Sequence, residues 1–500
     1  MKTKSFADIH CHPTMFPYNQ GEATTWHEHH HLLYPSQSDF FKLARGNVRV
    51  VFVSLYPIEQ GFLTFKPLGL ETGDITDTLA NIILSIPDSR ANTIQHYDHE
   101  YMDDLLSEYK FLADHASPET MEVKLTGREK KRFRYKIVSN YEDLKQLLSL
   151  DDQYNITLPD NDTIAVVLTL EGGHALGTGQ LNTRTLTEAE LNVKLKDNIR
   201  KLKILGGDSG HCPFFVTLSH HFWNQLGGQA ISLYNLMHKI FDQRTGINDD
   251  ISDLGKMVVG ELLSKENGRR ILIDTKHMTV KAKEWYYKIF LPDWKNHTGE
   301  TIPIIASHCG INGIPTIMAS AIEGQPDSIH EYADEIYDNS HEYNPWDLNL
   351  SDEEIMIIHE SGGLIGLNLD QRIIQGKKML TTVKHLSEEF PAGTYDSLWA
   401  EPLITTIIYI ARHIFNTKGN ESVIWNNITI GSDFDGLITP IKICKNSESF
   451  PALAEMLFMK LKNRVNTEPF LVNKTDDEIG EIIDSIMWRN ALRFLSEHFK

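Results

Sequence analysis

Residues 164–174 read Ile-Ala-Val-Val-Leu-Thr-Leu-Glu-Gly-Gly-His, an apolar run that ends on a charged residue. The positions before the glutamate are apolar or β-branched and show no alternating polar face. Such a run is typical of a parallel strand that is covered on both faces. Glu171 follows directly, and Gly172-Gly173 lets the backbone turn without interference from a side chain. The stretch therefore predicts a buried strand of a parallel sheet that ends on a carboxylate.

Seven further strand-like runs in the chain also end in histidine, aspartate, asparagine or a polar turn. They cover residues 6–10, 48–55, 213–218, 271–274, 302–306, 363–369 and 427–430. Helical periodicity lies between or after them, for example over 188–205 and 476–498. Eight buried strands that alternate with helices, without a glycine-rich first turn, favour an α/β protein built as a (β/α)8 TIM barrel over a doubly wound sheet.

Two segments are longer than ordinary connections and are interpreted as insertions into one domain over residues 1–500. The first covers about 58–138 and the second, which is polar and acidic, about 310–347. Within the first insertion the sequence predicts helical structure over 73–116 and a hairpin of 121–125 with 132–138. No internal repeat or flexible linker indicates a second domain.

The composition excludes several classes of protein. Its 48 lysines and arginines against 68 aspartates and glutamates give a formal charge of −20, which disfavours nucleic acid and anionic membrane as partners. Four scattered cysteines (Cys11, Cys212, Cys309 and Cys444) do not suit a disulfide framework. The chain shows no apolar leader and no apolar run of membrane-spanning length, so we expect a cytoplasmic protein.

Histidines and carboxylates gather at the carboxyl ends of the predicted strands, where barrel enzymes place their chemistry. These residues are His10, His12, Glu171, His220, His277, His308 and Asp433. Because residues two apart in a strand face the same side, His10 and His12 can both point inward while Cys11 points away. Coincidence is a poor explanation for so many such residues at one end of one barrel.

Imidazole and carboxylate ligands suit Zn, Mn, Fe or Ni, and the absence of a cysteine cluster argues against a structural zinc site. His10, His12, Glu171, His277 and His308 are more ligands than a single catalytic zinc uses. Two divalent ions about 3.5–4 Å apart would use them better, with Glu171 as the shared ligand. The sequence therefore predicts a binuclear metal centre, with zinc as the expected metal.

The order of the motifs resembles that of the membrane (renal) dipeptidase family of the amidohydrolase superfamily. The motifs are His-x-His, Glu-Gly-Gly-His, Thr-Leu-Ser-His, Ile-Asp-x-x-His, Ser-His and Gly-Ser-Asp-Phe-Asp-Gly, and they cover nearly the whole chain outside the insertions. The resemblance implies that His10 and His12 hold one metal ion, that His277 and His308 hold the other, and that Glu171 bridges them. It also implies that His220 polarises the scissile carbonyl and that Asp433 carries the proton to the leaving amine.

Two positions depart from the pattern of that family. The dipeptidases have an aspartate where this chain has His12, a change that we expect to preserve metal binding. They also have an arginine, associated with the terminal carboxylate of the substrate, where this chain has Leu348. Arg372 could replace it, although a surface arginine is the more ordinary interpretation. We therefore expect ordinary L,L-dipeptides to be poor substrates, and neutral or blocked carboxyl ends to be tolerated better than in that family. The acidic residues of the second insertion should add to this effect: Glu331, Asp334, Glu335 and Asp338.

Together these observations predict a binuclear metal-dependent hydrolase that cleaves an amide bond through a metal-bridging hydroxide. Its expected substrate is small, either a dipeptide or an N-acyl amino acid. A lactonase, a deaminase or a phosphotriesterase-like enzyme could use the same residues, and a non-catalytic metal-binding protein is the alternative from another class. The resemblance also suggests a homodimer.

Overall fold

The computed structural model describes residues 5–28, 35–63, 84–125, 129–158, 162–233, 237, 241–321, 342–389 and 397–500. Part of the predicted helical segment 73–116 and the acidic residues Glu331, Asp334, Glu335 and Asp338 lie outside the described residues. The described strands are β1 Phe6–Cys11, β2 Val48–Leu55, β3 Met121–Lys124, β4 Lys130–Ile137, β5 Thr163–Glu171, β6 Phe215–Thr217, β7 Leu272–Asp274, β8 Ile305–Cys309, β9 Leu364–Leu367 and β10 Ile428–Ile430.

Eight of these strands form a closed parallel barrel in the order β1-β2-β5-β6-β7-β8-β9-β10. Every neighbouring pair along this path is parallel. The path closes between β10 and β1, where the N–H of His12 donates to the carbonyl of Phe434 at 2.9 Å and the N–H of Asp433 donates to that of His10 at 2.9 Å. The predicted (β/α)8 barrel is therefore confirmed.

The strand that carries Glu171 is the longest of the barrel and is buried along its whole length. It begins at Thr163 and ends on Glu171 itself, as the apolar run predicts. Two other strands differ from the prediction. β6 is limited to Phe215–Thr217, so that His220 lies in the loop that follows it. β8 begins at Ile305 and ends at Cys309, so that His308 lies inside the strand.

The predicted hairpin of the first insertion is confirmed, and it also joins the barrel sheet. β3 pairs antiparallel with β4, and β4 then pairs parallel with the first half of β5 through Arg134 and Thr163 at one end and Ile137 and Val166 at the other. β6 pairs with the far end of the same strand, at Leu170 and Glu171. The insertion thus extends the barrel sheet through β5.

The described helices surround this sheet, and several of them begin at a side-chain cap. In chain order they are α1 Met15–Gln20, α2 Phe40–Arg45, α3 Asp88–Gln95, α4 Tyr101–Asp114, α5 Tyr141–Leu148, α6 Glu188–Lys203, α7 Asp253–Leu263, α8 Val280–Glu284, α9 Leu291–Thr298, α10 Asp352–Glu360, α11 Gln371–Ile374, α12 Lys377–Glu389, α13 Glu401–Lys418, α14 Phe450–Lys462, α15 Asp476–Asp484 and α16 Asn490–His498. Thr187 and Glu190 form a capping box at α6, in which each satisfies a backbone N–H of the other. The predicted helix over 476–498 is α15 and α16, joined by a π-helical turn, Ser485–Arg489.

Two buried aspartates tie neighbouring strands together inside the barrel. Asp8 on β1 accepts hydrogen bonds from the N–H of Ser432, at 2.9 Å, and from its hydroxyl, at 2.5 Å. Asp274 on β7 accepts hydrogen bonds from the hydroxyls of Thr217 and Ser307, both at 2.6 Å. Apolar side chains fill the rest of the interior and the space under the helices. The carboxyl ends of the strands are thereby held in a defined register, which positions the site.

No helix in the described part of the chain is both long and apolar enough to span a membrane.

Candidate metal centre

Five histidines surround the carboxylate of Glu171 at the carboxyl ends of the barrel strands. From this carboxylate, the distances to Nε2 are 2.8 Å for His12, 3.3 Å for His10, 3.4 Å for His308, 3.5 Å for His220 and 3.8 Å for His277. All of these side chains are buried. The structure therefore brings together in space residues that the sequence distributes over five strands or strand ends.

The potential ligand atoms form two compact groups that share one residue. In each group all ligand atoms lie within 4.8 Å of one another, and the members are His10, His12, Glu171 and Asp433 in the first and Glu171, His220 and His277 in the second. His308 lies against the second group, with its Nε2 3.3 Å from that of His277. Glu171 belongs to both groups, which is the arrangement expected of a bridging ligand.

The chemistry and the burial of these groups suit divalent metal ions. Nε2 of His10, Nε2 of His12 and Oε1 of Glu171 are buried and make no hydrogen bond in the structure. Buried polar atoms without a partner are costly unless a ligand satisfies them. Nitrogen and oxygen donors at one point, without a thiolate, match Zn, Mn, Fe or Ni. The residues present therefore fit the metal ions that the sequence predicts.

Hydrogen bonds on the far side of four of the five imidazoles direct Nε2 toward Glu171; they belong to His10, His12, His220 and His308. Nδ1 of His12 donates to the backbone carbonyl of Ser54 at 3.0 Å. Nδ1 of His308 lies 2.8 Å from the hydroxyl of Ser307, which itself donates to Asp274. That hydroxyl must therefore accept from His308, which leaves the Nε2 lone pair of His308 facing the centre. Such outer contacts commonly fix the orientation of histidines that bind metals.

The charges at the centre are arranged around one anion. Burial raises the pKa of Glu171. The interactions with His220, His10 and His12 outweigh this effect and hold the pKa well below its ordinary value. Burial lowers the pKa of His12, but the charge of Glu171 outweighs it and raises this pKa to about 9. Burial lowers the pKa of His10, and it lowers that of His277 and of His308 far below the ordinary range. A carboxylate ringed by mostly neutral imidazoles is a favourable environment for cations.

His220 has a buried carboxylate partner that sequence reasoning missed. Its Nδ1 lies 2.7 Å from Oε2 of Glu59, while its Nε2 faces Glu171. Glu59 is itself held by the hydroxyl of Tyr56 at 3.0 Å and by the N–H of Phe222 at 3.0 Å. Burial lowers the pKa of His220, but Glu171 and Glu59 outweigh it and raise the pKa above its ordinary value. The protonated form of His220 is thereby favoured, and its Nε2 faces the centre.

Asp433 and His277 occupy left-handed backbone conformations that residues other than glycine seldom adopt. Their φ angles are 62° and 66°. Gly436 packs against Asp433 so closely that a Cβ there would lie 2.1 Å from Oδ1 of Asp433. Such backbone strain is concentrated at functional sites in proteins. The glycine of the Gly-Ser-Asp-Phe-Asp-Gly motif thus makes room for the carboxylate of Asp433.

The carboxylate of Asp433 is positioned by Asn368, another residue that sequence reasoning missed. Nδ2 of Asn368 donates to Oδ2 of Asp433 at 3.2 Å. Burial and the negative charge of Glu171 raise the pKa of Asp433 to about 8, although His12 and Lys276 act in the opposite direction. A carboxyl group with a pKa near neutrality can both accept and release a proton, as general acid–base catalysis requires.

A cavity opens onto this centre. Its wall includes Leu348, which is buried and packs in an apolar cluster with Trp346 and Ile373. Arg372 also lines the cavity, so that the interpretation of this arginine as an ordinary surface residue is wrong. Its Nε and one terminal nitrogen contact Asp370 at distances of 2.5–3.0 Å. Apolar side chains and a few polar groups line it together, as in sites for small molecules.

The structure brings all seven residues predicted from the sequence to this site. Three further residues of the site were not predicted from the sequence: Glu59, Asn368 and Lys276. Asn368 and Lys276 line the cavity. The sequence did offer a signal for Asn368, because it is a polar residue near the carboxyl end of the predicted strand 363–369. Glu59 lay inside a segment interpreted as an insertion, and Lys276 was an unspecified position in the Ile-Asp-x-x-His motif. No sequence pattern indicated either of them.

Comparisons with known proteins support the fold. No family model matches the chain. An uncharacterized protein in the pqqA 5′ region of Klebsiella pneumoniae is 23% identical over 235 residues, which are 47% of this chain and 58% of the length of that relative. The crystal structure of the probable dipeptidase PvdM from Pseudomonas aeruginosa matches 99% of this chain and 95% of its own, at 15% identity and a TM-score of 0.51.

A metallopeptidase from Rhodobacter sphaeroides, solved with a phosphinate mimic of the dipeptide L-Ala-D-Ala, matches 100% of both chains at 12% identity and a TM-score of 0.49. The similarity to PvdM shows that the two chains share a fold along nearly their whole length. The resemblance to the membrane dipeptidase family is thereby confirmed for the fold. The activity follows from the site and is taken up below.

Proposed function

We propose that the protein is a metal-dependent hydrolase of the dipeptidase-like amidohydrolase type, which cleaves an amide bond in a small substrate. The observation that carries this proposal is the position of Glu171, which belongs to both groups of potential metal ligands. His220 and Asp433 line the same cavity as this carboxylate. A purely structural metal site needs neither a proton donor nor a carboxyl group with a pKa of about 8.

In this proposal His10, His12 and Glu171 would hold one divalent ion, and Glu171, His277 and His308 would hold a second. When bound, such ions polarise a carbonyl group and lower the pKa of water. Zinc is the first choice, and Mn, Fe or Ni would suit the same donors. Since these ligands bind metal only when deprotonated, we expect metal affinity to fall as the pH is lowered through the pKa of His12, about 9.

The residues of the chain itself supply the proton transfers and the orientation. Nε2 of His220 donates a hydrogen bond to the carbonyl oxygen of the substrate as negative charge develops there, and Glu59 favours the protonated form of this imidazole. Asp433 accepts a proton from the attacking water and delivers it to the leaving amine. The hydrogen bond from Asn368 keeps the carboxylate of Asp433 in place for both steps.

Four further expectations belong to this proposal. They are a small-molecule or dipeptide substrate, a cytoplasmic location, a homodimer, and the absence of a nucleic-acid or membrane partner. The cavity that opens onto the centre, with its apolar and polar wall, supports the first of them. The formal charge of −20 supports the last. The location and the homodimer stay predictions, as does the assignment of the whole chain to one domain.

The proposal is tested by metal reconstitution and a substrate panel. The chain loaded with Zn or Mn should hydrolyse a dipeptide or an N-acyl amino acid faster than a lactone or a phosphotriester. Glu171→Gln should lower both the metal content and kcat/KM, because it removes the shared anionic ligand. Glu188→Gln, on the exposed first turn of α6, is the matched control and should leave both unchanged. Full activity of Glu171→Gln, or no hydrolysis of any amide by the metal-loaded wild type, would contradict the proposal.

A further inference from the structure

Lys276 is a buried cation in the wall of the cavity that the proposed mechanism does not use. It lies in the loop after β7, directly before His277, and its exposed fraction is only 2%. Its neighbours in the wall include Asp433 and Leu348. Lysine is seldom buried to this extent unless its charge is paired.

The ammonium group of Lys276 has no such pair. Among the described residues it makes one hydrogen bond, to the carbonyl oxygen of Leu348 at the long distance of 3.5 Å, and no ion pair. Lys283 provides an internal comparison, because it is buried equally and contacts Glu354 at 3.1 Å and the carbonyl of Asp347 at 2.7 Å. Burial lowers the pKa of Lys276, which is the direction expected of an ammonium group without a counter-ion.

The other cation of the cavity wall is already engaged. The guanidinium of Arg372 donates to both carboxylate oxygens of Asp370. The terminal nitrogen that contacts Asp370 also donates to the carbonyl of Leu437 at 3.1 Å. A substrate anion would have to compete with Asp370 for this group. Lys276 meets no such competition, because no carboxylate of the described residues forms an ion pair with it.

The position of Lys276 also indicates which part of a substrate it would meet. Lys276 and Asp433 line the same cavity. In the proposed mechanism Asp433 protonates the leaving amine, so a group close to Asp433 lies on the leaving side of the scissile bond. The ammonium of Lys276 also touches the backbone of Leu348, at the position where the dipeptidases have an arginine.

We propose that Lys276 forms an anion subsite that binds a carboxylate on the leaving part of the substrate. The substrates are then amides whose amine carries a free carboxylate, as in dipeptides and N-acyl amino acids. This inference rests on the proposed function, and it replaces the arginine of the dipeptidases with a lysine from another strand end. It opposes the expectation, drawn from Leu348 and the acidic second insertion, that ordinary dipeptides are poor substrates.

A binding measurement tests the subsite independently of turnover. The probes are the reduced dipeptide isostere Ala-ψ[CH2NH]-Ala and its C-terminal amide, titrated calorimetrically into the metal-loaded full-length protein. We expect the wild type to bind the free acid about 10- to 100-fold more tightly than the amide, the range of a buried charge-assisted pair. Lys276→Met should reduce this ratio to about one without changing the affinity for the amide.

Three variants complete the experiment. Lys281→Met removes an exposed lysine on α8 and should keep the wild-type ratio, which controls for net charge. Arg372→Gln should also keep it. Lys276→Gln provides a second neutral side chain if the methionine variant does not fold, although loss of an unpaired buried charge is expected to leave the stability unchanged or higher.

The possible outcomes separate the subsite from the proposed function. Equal binding of acid and amide by the wild type, or a preference for the acid that survives Lys276→Met, would overturn the subsite. A preference lost only in Arg372→Gln would overturn it as well and assign the carboxylate to Arg372. If the preference depends on Lys276 but neither a dipeptide nor its amide is hydrolysed, the subsite stands and the proposed hydrolase activity fails.

Discussion

At the scale of single residues, Asp433 is the group whose replacement should affect chemistry most selectively. Asn368 holds its carboxylate, and its pKa of about 8 suits proton transfer near neutral pH. Asp433→Asn keeps the size of the side chain but cannot ionise. We expect kcat to fall by roughly 10²- to 10⁴-fold, the usual contribution of a general acid–base group, with metal content near that of the wild type. Loss of metal in this variant would instead make Asp433 a ligand, and an unchanged kcat would remove it from the mechanism.

Glu59 acts on the reaction only through His220, and its effect should therefore appear in the pH profile. Glu59→Gln removes the charge that lies 2.7 Å from Nδ1 of His220. Since Glu59 helps to raise the pKa of His220, its loss should shift the basic limb of kcat/KM to lower pH. We expect kcat/KM at neutral pH to fall about 10- to 100-fold, as for other residues that orient a functional histidine. A pH profile identical to that of the wild type would show that Glu59 has only a structural role.

At the scale of secondary structure elements, Glu108 attaches helix α4 of the first insertion to the barrel. It accepts hydrogen bonds from the hydroxyl of Thr14 at 2.7 Å and from the N–H of Tyr56 at 2.9 Å. Burial raises the pKa of Glu108 from 4.5 to about 7, although both hydrogen bonds act in the opposite direction. The folded chain therefore holds a proton that the unfolded chain releases between these two pH values.

The stability that comes from this proton is full below pH 4.5 and is lost as the pH rises through about 7. Its upper limit is about 3 kcal/mol at 1.36 kcal/mol per pKa unit. Urea unfolding at pH 5 and pH 8 should show a larger decrease in the free energy of unfolding for the wild type than for Glu108→Gln. Asp8 and Asp347, whose pKa values burial raises to about 6, contribute equally to both proteins and cancel in this difference. Equal decreases would show that Glu108 is already ionised in the folded state.

At the scale of the whole molecule, the metal centre should contribute to activity far more than to the fold. Apolar side chains in and around the barrel form the core, and the buried aspartates Asp8 and Asp274 tie its strands together without a metal. We expect elemental analysis of the loaded and desalted chain to find two ions per chain. Chelation should abolish hydrolysis reversibly and leave the circular dichroism spectrum nearly unchanged. A stoichiometry of one that persists in excess Zn or Mn would exclude a bridging role for Glu171.

What could be predicted from the sequence follows from local periodicity. An apolar run of strand length with a polar terminus locates a buried strand, and alternation within the strand shows which side each residue faces. This is why β2 has the predicted bounds Val48–Leu55 and why Glu171 ends its strand. Bounds were less accurate where the apolar run and the hydrogen-bonded ladder do not coincide. At β6 the run extends past both ends of the ladder, and at β8 the ladder begins and ends later than the run.

The sequence by itself determined that this chain is a barrel with His10, His12, Glu171, His220, His277, His308 and Asp433 at one end, because strand order and side-chain alternation are local properties. Only the tertiary structure decided the partners of these residues. Glu59 and His220 are 161 positions apart, and their contact depends on how two loops pack. The same holds for the pairing of Arg372 with Asp370 and for the unpaired ammonium of Lys276. Distances between side chains on different loops set the charge and the pKa of each group, and no periodicity in the sequence encodes those distances.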